Sequence, residues 1–332
     1  MPRFIDHLLA EKKWKHESFD LPPEIFENAD ELLSRNARLR QDFRTATVLS
    51  IDNVAQYYFK HHATKDGRMD GPEQFPQLAP PFPCAFYEYD LEPSMYDLMF
   101  TEGETSQPRQ LNQAGILVQS CDVAQFRNQY SDGDSFLQES RSDVTAKWVL
   151  FITVFARHKS DRELGGPLLM LMLAVGEDGQ ATSKLRSRIW GVRDDAYDQV
   201  AQEDIDLICL LADLAFPAFL ATSFLHCRNV STEDNVPPPK LSKAYNRRHG
   251  QPLLRFKTLS IEPMKHILRK QGQVEDRGLT YALHLCRGHF KDYRNSAGLF
   301  GRHKGLFWWD LHTRGSLDQG AVVKDYAINL TQ

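Results

Sequence analysis

Apolar residues recur at three- and four-residue intervals between 24 and 60, at Ile25, Phe26, Leu32, Leu33, Leu39, Val48, Ile51, Val54 and Tyr58. This spacing predicts two helices with a break near Arg44-Thr45. The period then changes. Beyond a polar loop with Asp66-Gly67 and Asp70-Gly71-Pro72, and a proline-rich stretch over 76–83, the run Cys84-Ala85-Phe86-Tyr87-Glu88-Tyr89 alternates as a strand does. The β-branched and aromatic runs 115–120 and 147–156 predict two more strands. A fourth, 167–175, closes in the turn Gly176-Glu177-Asp178-Gly179, with 157–166 connecting it to the strand before. The segment 207–225 is almost wholly apolar and about long enough to span a bilayer. Asp213 at its centre, Pro217 and the lack of a cationic flank predict a buried core helix instead.

Three consecutive prolines, Pro237-Pro238-Pro239, stiffen a spacer and mark a boundary. Beyond them 253–261 alternates as a strand, and 281–290 is predicted to be its partner. The gap between the two leaves room for a short helix after Pro263. A loop-rich close with a short aromatic strand over 306–311 completes the chain. The expected fold class is α+β: an antiparallel sheet with helices packed on one face over residues 1–236, plus a basic β-rich C-terminal portion over 240–332. Opposite charge and a short spacer predict that the two portions pack as one body.

Charge sharpens that division. The 332 residues carry a formal net charge of −4, yet residues 240–332 hold 17 Lys/Arg against 7 Asp/Glu, leaving 23 against 37 for residues 1–239. Such asymmetry points to a polyanionic partner, or to an acidic surface facing a basic one. Apolar content of 42% and charged content of 25% are ordinary for a globular chain. The five cysteines are scattered with no CxxC pair, which suits a reducing compartment. The N-terminus shows no secretory leader, so a cytoplasmic location without a membrane partner is expected.

The densest chemistry lies over 283–315, where four His, six Lys/Arg and six aromatics fall together. Lys291, Arg294, Arg302, Lys304 and Arg314 could neutralise phosphates, while Tyr293, Phe300 and Trp308 could stack on unpaired bases. Cleavage of RNA without a metal would need a base, an acid and a cation. His289 and His312 could move the protons, because imidazole titrates near pH 6.5, and Arg287 could hold the developing negative charge. Other chemistries are less well marked. His284, Cys286 and His289 with His226-Cys227 match no zinc spacing, and a strand would point His284 and His289 to opposite faces. Glu88, Asp90 and Glu92 alternate as a divalent-cation site might require, but also as any solvated strand face does. No cofactor is expected, since phosphate-loop, dinucleotide, GxSxG and HExxH motifs are all missing.

The series Arg287-Gly288-His289-Phe290, Tyr293, Leu299-Phe300-Gly301, Trp308-Trp309, His312 and Arg314-Gly315 resembles a segment of uncharacterised bacterial and phage proteins, and the likeness covers roughly the final third. It implies a prokaryotic or mobile-element setting and carries no catalytic assignment. In composition the same segment is similar to RelE-type RNase toxins, though their catalytic residues do not align. The expected function is therefore a nucleic-acid-associated protein, with RNA ahead of DNA as partner. The alternatives are a metal-independent ribonuclease and a non-enzymatic module docking on an acidic protein.

Overall fold

The computed structural model describes residues 2–11, 14, 23–61, 71–92, 111–129, 136–137, 145–158, 166–193, 195–196, 200, 208, 211–262, 264, 267–268, 282–286, 288–309, 312–314 and 316–322. The expected connection over 157–166 lies mostly outside them. The chain divides into two compact units. The first comprises 1–223 and 232–259, and the second 224–231 and 260–332.

The first unit is built on α1 (Phe4–Ala10), α2 (Ala29–Thr45), β1 (Thr47–Ser50), α3 (Asp52–His61), β2 (Cys84–Asp90), β3 (Leu111–Asp122), α4 (Val123–Gln129), β4 (Ala146–His158), β5 (Pro167–Gly176) and β6 (Arg186–Ile189). To these it adds most of α5 (Phe216–Leu225), β7 (Val230–Asn235) and β8 (Phe256–Ile261), and the whole of α6 (Pro239–His249). The strands form one sheet in the order β6-β5-β4-β3-β2-β1-β8-β7. The fold is α+β, as the patterning predicts, but the sheet is mixed where an antiparallel one was expected. From β2 to β6 neighbours run antiparallel, whereas β1 lies parallel to both β2 and β8. A parallel β1–β2 pair needs a long crossover, and α3 lies within it.

The two faces of β2 show where the core sits. Phe86 points to a cluster with Phe4, Trp14, Leu39, Phe43, Leu117 and Phe155, in which the Phe43 ring stands 5.2 Å from Phe86 and 5.3 Å from Phe155. Its neighbours Tyr87 and Tyr89 point the other way. The Tyr87 hydroxyl lies 3.0 Å from Thr222 Oγ1, the Tyr89 hydroxyl donates to Leu214 O at 2.8 Å, and the Phe59 ring is 6.2 Å from Tyr89. Helices α1 and α2 thus cover one face, and α3 with α5 and the residues just before it cover the other. The single helical face expected from sequence is corrected to two, because both parities of β2 are apolar or hydroxyl-bearing and each needs cover.

The apolar run expected as a helix over 207–225 supplies α5, preceded by a 3-10 turn at Asp213–Ala215, with Pro217 in the first helical turn where its missing N–H costs nothing. Among the described residues no helix is long and apolar enough to cross a membrane.

The second unit contains two smaller sheets, in which β10 (His289–Asp292) pairs antiparallel with β11 (Leu306–Trp309). In the other, β9 (Ala282–Cys286) lies between β12 (His312–Arg314) and β13 (Ser316–Val322). The strand expected over 281–290 as partner of 253–261 is therefore two strands, and neither pairs with β8. β8 pairs instead with β1, Leu49 facing Lys257 and Ser50 facing Thr258.

Candidate nucleic-acid interface

On β10, Phe290 faces Trp308 of β11, and Lys291 faces Phe307. The Trp308 ring packs edge-on against Phe290 at 4.8 Å and Phe224 at 4.9 Å, and the residue is 3% exposed. Its backbone is fixed as well, since Asn229 Oδ1 accepts the Trp308 N–H and Asn229 Nδ2 donates to Trp308 O. The stacking role expected of Trp308 is corrected by this: a ring clamped in the core presents no face to a base. Tyr293 is half-buried and packs on the cluster of Met264, Leu268 and Phe307, so it too serves the interior.

Between β10 and β11 the chain runs out through 293–305 and returns, with Tyr293 N–H donating to Gly305 O at 2.8 Å. At its end Leu299 and His303 exchange backbone hydrogen bonds, each 3.1 Å, so that Phe300, Gly301 and Arg302 form a three-residue tip. Phe300 has φ 54° and Gly301 has φ 70°. Glycine adopts the left-handed region freely, but for phenylalanine it costs about 1–2 kcal/mol. Phe300 is nevertheless 59% exposed. A strained backbone and an exposed aromatic ring are two unfavourable features with no evident return in the folded state, and strain of this kind collects where a ligand is met.

Cations surround the tip. Arg302 and Lys304 are exposed, and residues 288–309 hold four Lys/Arg against one acid. Arg228 belongs to the same surface. Its N–H donates to Leu306 O at 2.8 Å and its side chain lies against Gly305, where an added Cβ would stand 2.8 Å from Arg228 Cγ. Sequence reasoning passed over Arg228, because no local pattern links it to a loop more than seventy residues later. Arg294 is less available: it grips Asp292 through Nε and an Nη at 2.7–3.0 Å, and this guanidinium holds the Asp292 carboxyl below its ordinary range. Lys291 places its ammonium 3.9 Å from the centre of the Trp309 ring, a cation–π contact that points it along the sheet.

The two histidines expected to move protons lie on different strand pairs. His289 lies half-buried on β10 opposite Trp309, while the backbone of His312 pairs with Cys286 in the other sheet. Arg287 lies outside the described residues, as do the side chains of His312 and Arg314. The carboxylates at 88, 90 and 92 are engaged by protein donors: Arg3 Nε and Ile5 N–H donate to the two oxygens of Glu88, and Asp90 and Glu92 accept from Gln113 and Gln56. No cluster of three potential metal ligands occurs among the described residues. Comparison with known proteins finds no matching family model, no matching curated protein and no matching solved structure.

Proposed function

We propose that the second unit binds nucleic acid, RNA ahead of DNA, by setting the Phe300 ring on an unpaired base while Arg302, Lys304 and Arg228 meet the neighbouring phosphates. The exposed, left-handed Phe300, followed in the same loop by the exposed cations Arg302 and Lys304, carries this reading. A ring held at a loop tip suits bases that are already unstacked, and RNA offers these in loops, bulges and ends. Base–aromatic stacking contributes about 1–3 kcal/mol per base, and each phosphate contact adds a salt-dependent increment.

Titration of labelled single-stranded RNA with the whole chain tests it. Phe300→Ala is expected to weaken binding by about tenfold or more, in line with the loss of one stacked base. Arg302→Ala with Lys304→Ala is expected to lower the slope of log affinity against log salt by about 1.4 for a single strand. Wild-type affinity and an unaltered slope in both variants would overturn the reading.

A further inference from the structure

Six of the seventeen cations beyond residue 239 do not belong to the second unit. Residues 235–261 contain Lys240, Lys243, Arg247, Arg248, Arg255 and Lys257 and no Asp or Glu, and 232–259 are part of the first unit. Among the described residues Lys257 pairs with Asp234 at 2.5 Å. The other five are exposed.

Four of the five stand on α6. Pro239 occupies its first turn, and Gly250, with φ 76°, ends it in a left-handed cap whose N–H donates to Asn246 O. At 100° per residue, Lys240, Lys243, Arg247 and Arg248 fall within an arc of about 140°. Ser242 and Tyr245 define the opposite side. Tyr245 is 8% exposed and donates its hydroxyl to Asp6 O at 2.9 Å, and Ser242 Oγ accepts from Leu253 N–H at 3.2 Å. The inner face is thereby tied down, and the outer face carries the four cations and Ala244 with no acid among them.

Helix stability does not account for this arrangement. Arg247 and Arg248 in the last turn favour the helix dipole, but Lys240 in the first turn opposes it, with no acid there to offset the charge. Lys240 and Lys243, and Lys243 and Arg247, are like-charge neighbours at three and four residues, each destabilising by about 0.2–0.5 kcal/mol. An ordinary surface helix intersperses both signs. Anionic ligand relieves the repulsion, which makes charge complementarity the reason for the pattern.

We propose that the outer face of α6 is a second, separate binding surface on the first unit, and that its occupant is the phosphate backbone of nucleic acid. The face has no aromatic ring for stacking, so it reads neither base nor strandedness. A membrane surface is the poorer fit, because an interfacial helix needs an apolar face free to insert and the inner face of α6 is committed to Asp6 and Leu253.

The test uses the full chain carrying Lys240→Gln, Lys243→Gln, Arg247→Gln and Arg248→Gln, with circular dichroism melting to confirm folding. Against a short RNA duplex and its isolated strand, the salt slope is expected to fall by about 3 in either case. A charge-preserving variant, Lys240→Arg with Lys243→Arg, is expected to keep the wild-type slope. An unchanged slope in the folded fourfold variant would overturn the proposal. So would wild-type binding to phosphatidylserine vesicles or polyglutamate, lost in the variant, without binding to either RNA. The Phe300 reading fails separately: Phe300→Ala with wild-type affinity for the single strand removes that site and leaves α6 standing, and an unchanged fourfold variant does the reverse.

Discussion

Glu88 shows how a single charge is kept inside the first unit. It is 2% exposed, and both oxygens are engaged, one by Arg3 Nε and the other by Ile5 N–H. Removing one partner of a buried pair strands the other, so Glu88→Ala is expected to cost about 3 kcal/mol in urea unfolding. A loss below about 1 kcal/mol would show that Arg3, a quarter exposed, is rehydrated without penalty. Cys84 and Cys227 illustrate burial acting on a thiol. Desolvation pushes both up to about 12, with Asp42 adding to the effect at Cys84. Thiolate is the reactive form, so both are expected to resist iodoacetamide at pH 8 in the native chain and to alkylate once it is unfolded. Phe300 belongs to the opposite class. Phe300→Gly is expected to leave thermal stability unchanged or raise it by up to about 1 kcal/mol, because the backbone strain goes with the side chain, and under the proposed stacking role it is expected to weaken RNA binding.

At the scale of elements, capping and close approach decide what the hydrophobic period alone does not. Asn28 starts α2 by accepting the Glu31 N–H at 2.9 Å. Asn28→Ala is expected to destabilise the chain by about 1 kcal/mol, read as a shift in the urea midpoint. In β3 the glycine at 115 is required by packing: a Cβ there would stand 2.4 Å from Phe86 and 2.9 Å from Phe4. Gly115→Ala must push aside two rings of the aromatic core, and a loss of about 1–3 kcal/mol is expected. The apolar positions Val48 and Ile51 fit a helical period, yet 47–50 form β1. Thr47 and Val48 are β-branched, and the strand's hydrogen bonds to β2 on one side and β8 on the other outweigh a weak local preference.

Across the whole molecule, charge is distributed in patches and its sum is a poor guide to partners. A chain of net charge −4 carries a cationic loop in one unit and a cationic helix in the other, and salt titration of variants lacking one or the other separates their contributions. Global stability has its own pH dependence. Desolvation holds the carboxyls of Glu88 and Asp6 above their ordinary values of 4.5 and 3.8, outweighing the opposing effects of Arg3 and backbone N–H groups. Each therefore binds its proton more tightly in the folded state. Their contribution is complete below the unfolded values and is lost as pH rises through the folded ones. Glu88→Gln is expected to flatten the decline in stability above pH 4.5, and an unchanged slope would show that the carboxyl is not raised.

The sequence by itself determined the fold class, most strand positions and the excess of cations beyond residue 239, because alternation, turn residues and charge are local properties of the chain. It also named Phe300, Arg302 and Lys304, which lie close together in the chain and stay so in space. Tertiary structure alone decided the rest. It set β1 between β2 and β8, buried Trp308 against Phe224 and Phe290, brought Arg228 to Gly305, and assigned α6 to the first unit. Each of these depends on contacts between residues far apart in sequence, and such contacts are selected by the fit of whole surfaces, which no local pattern encodes.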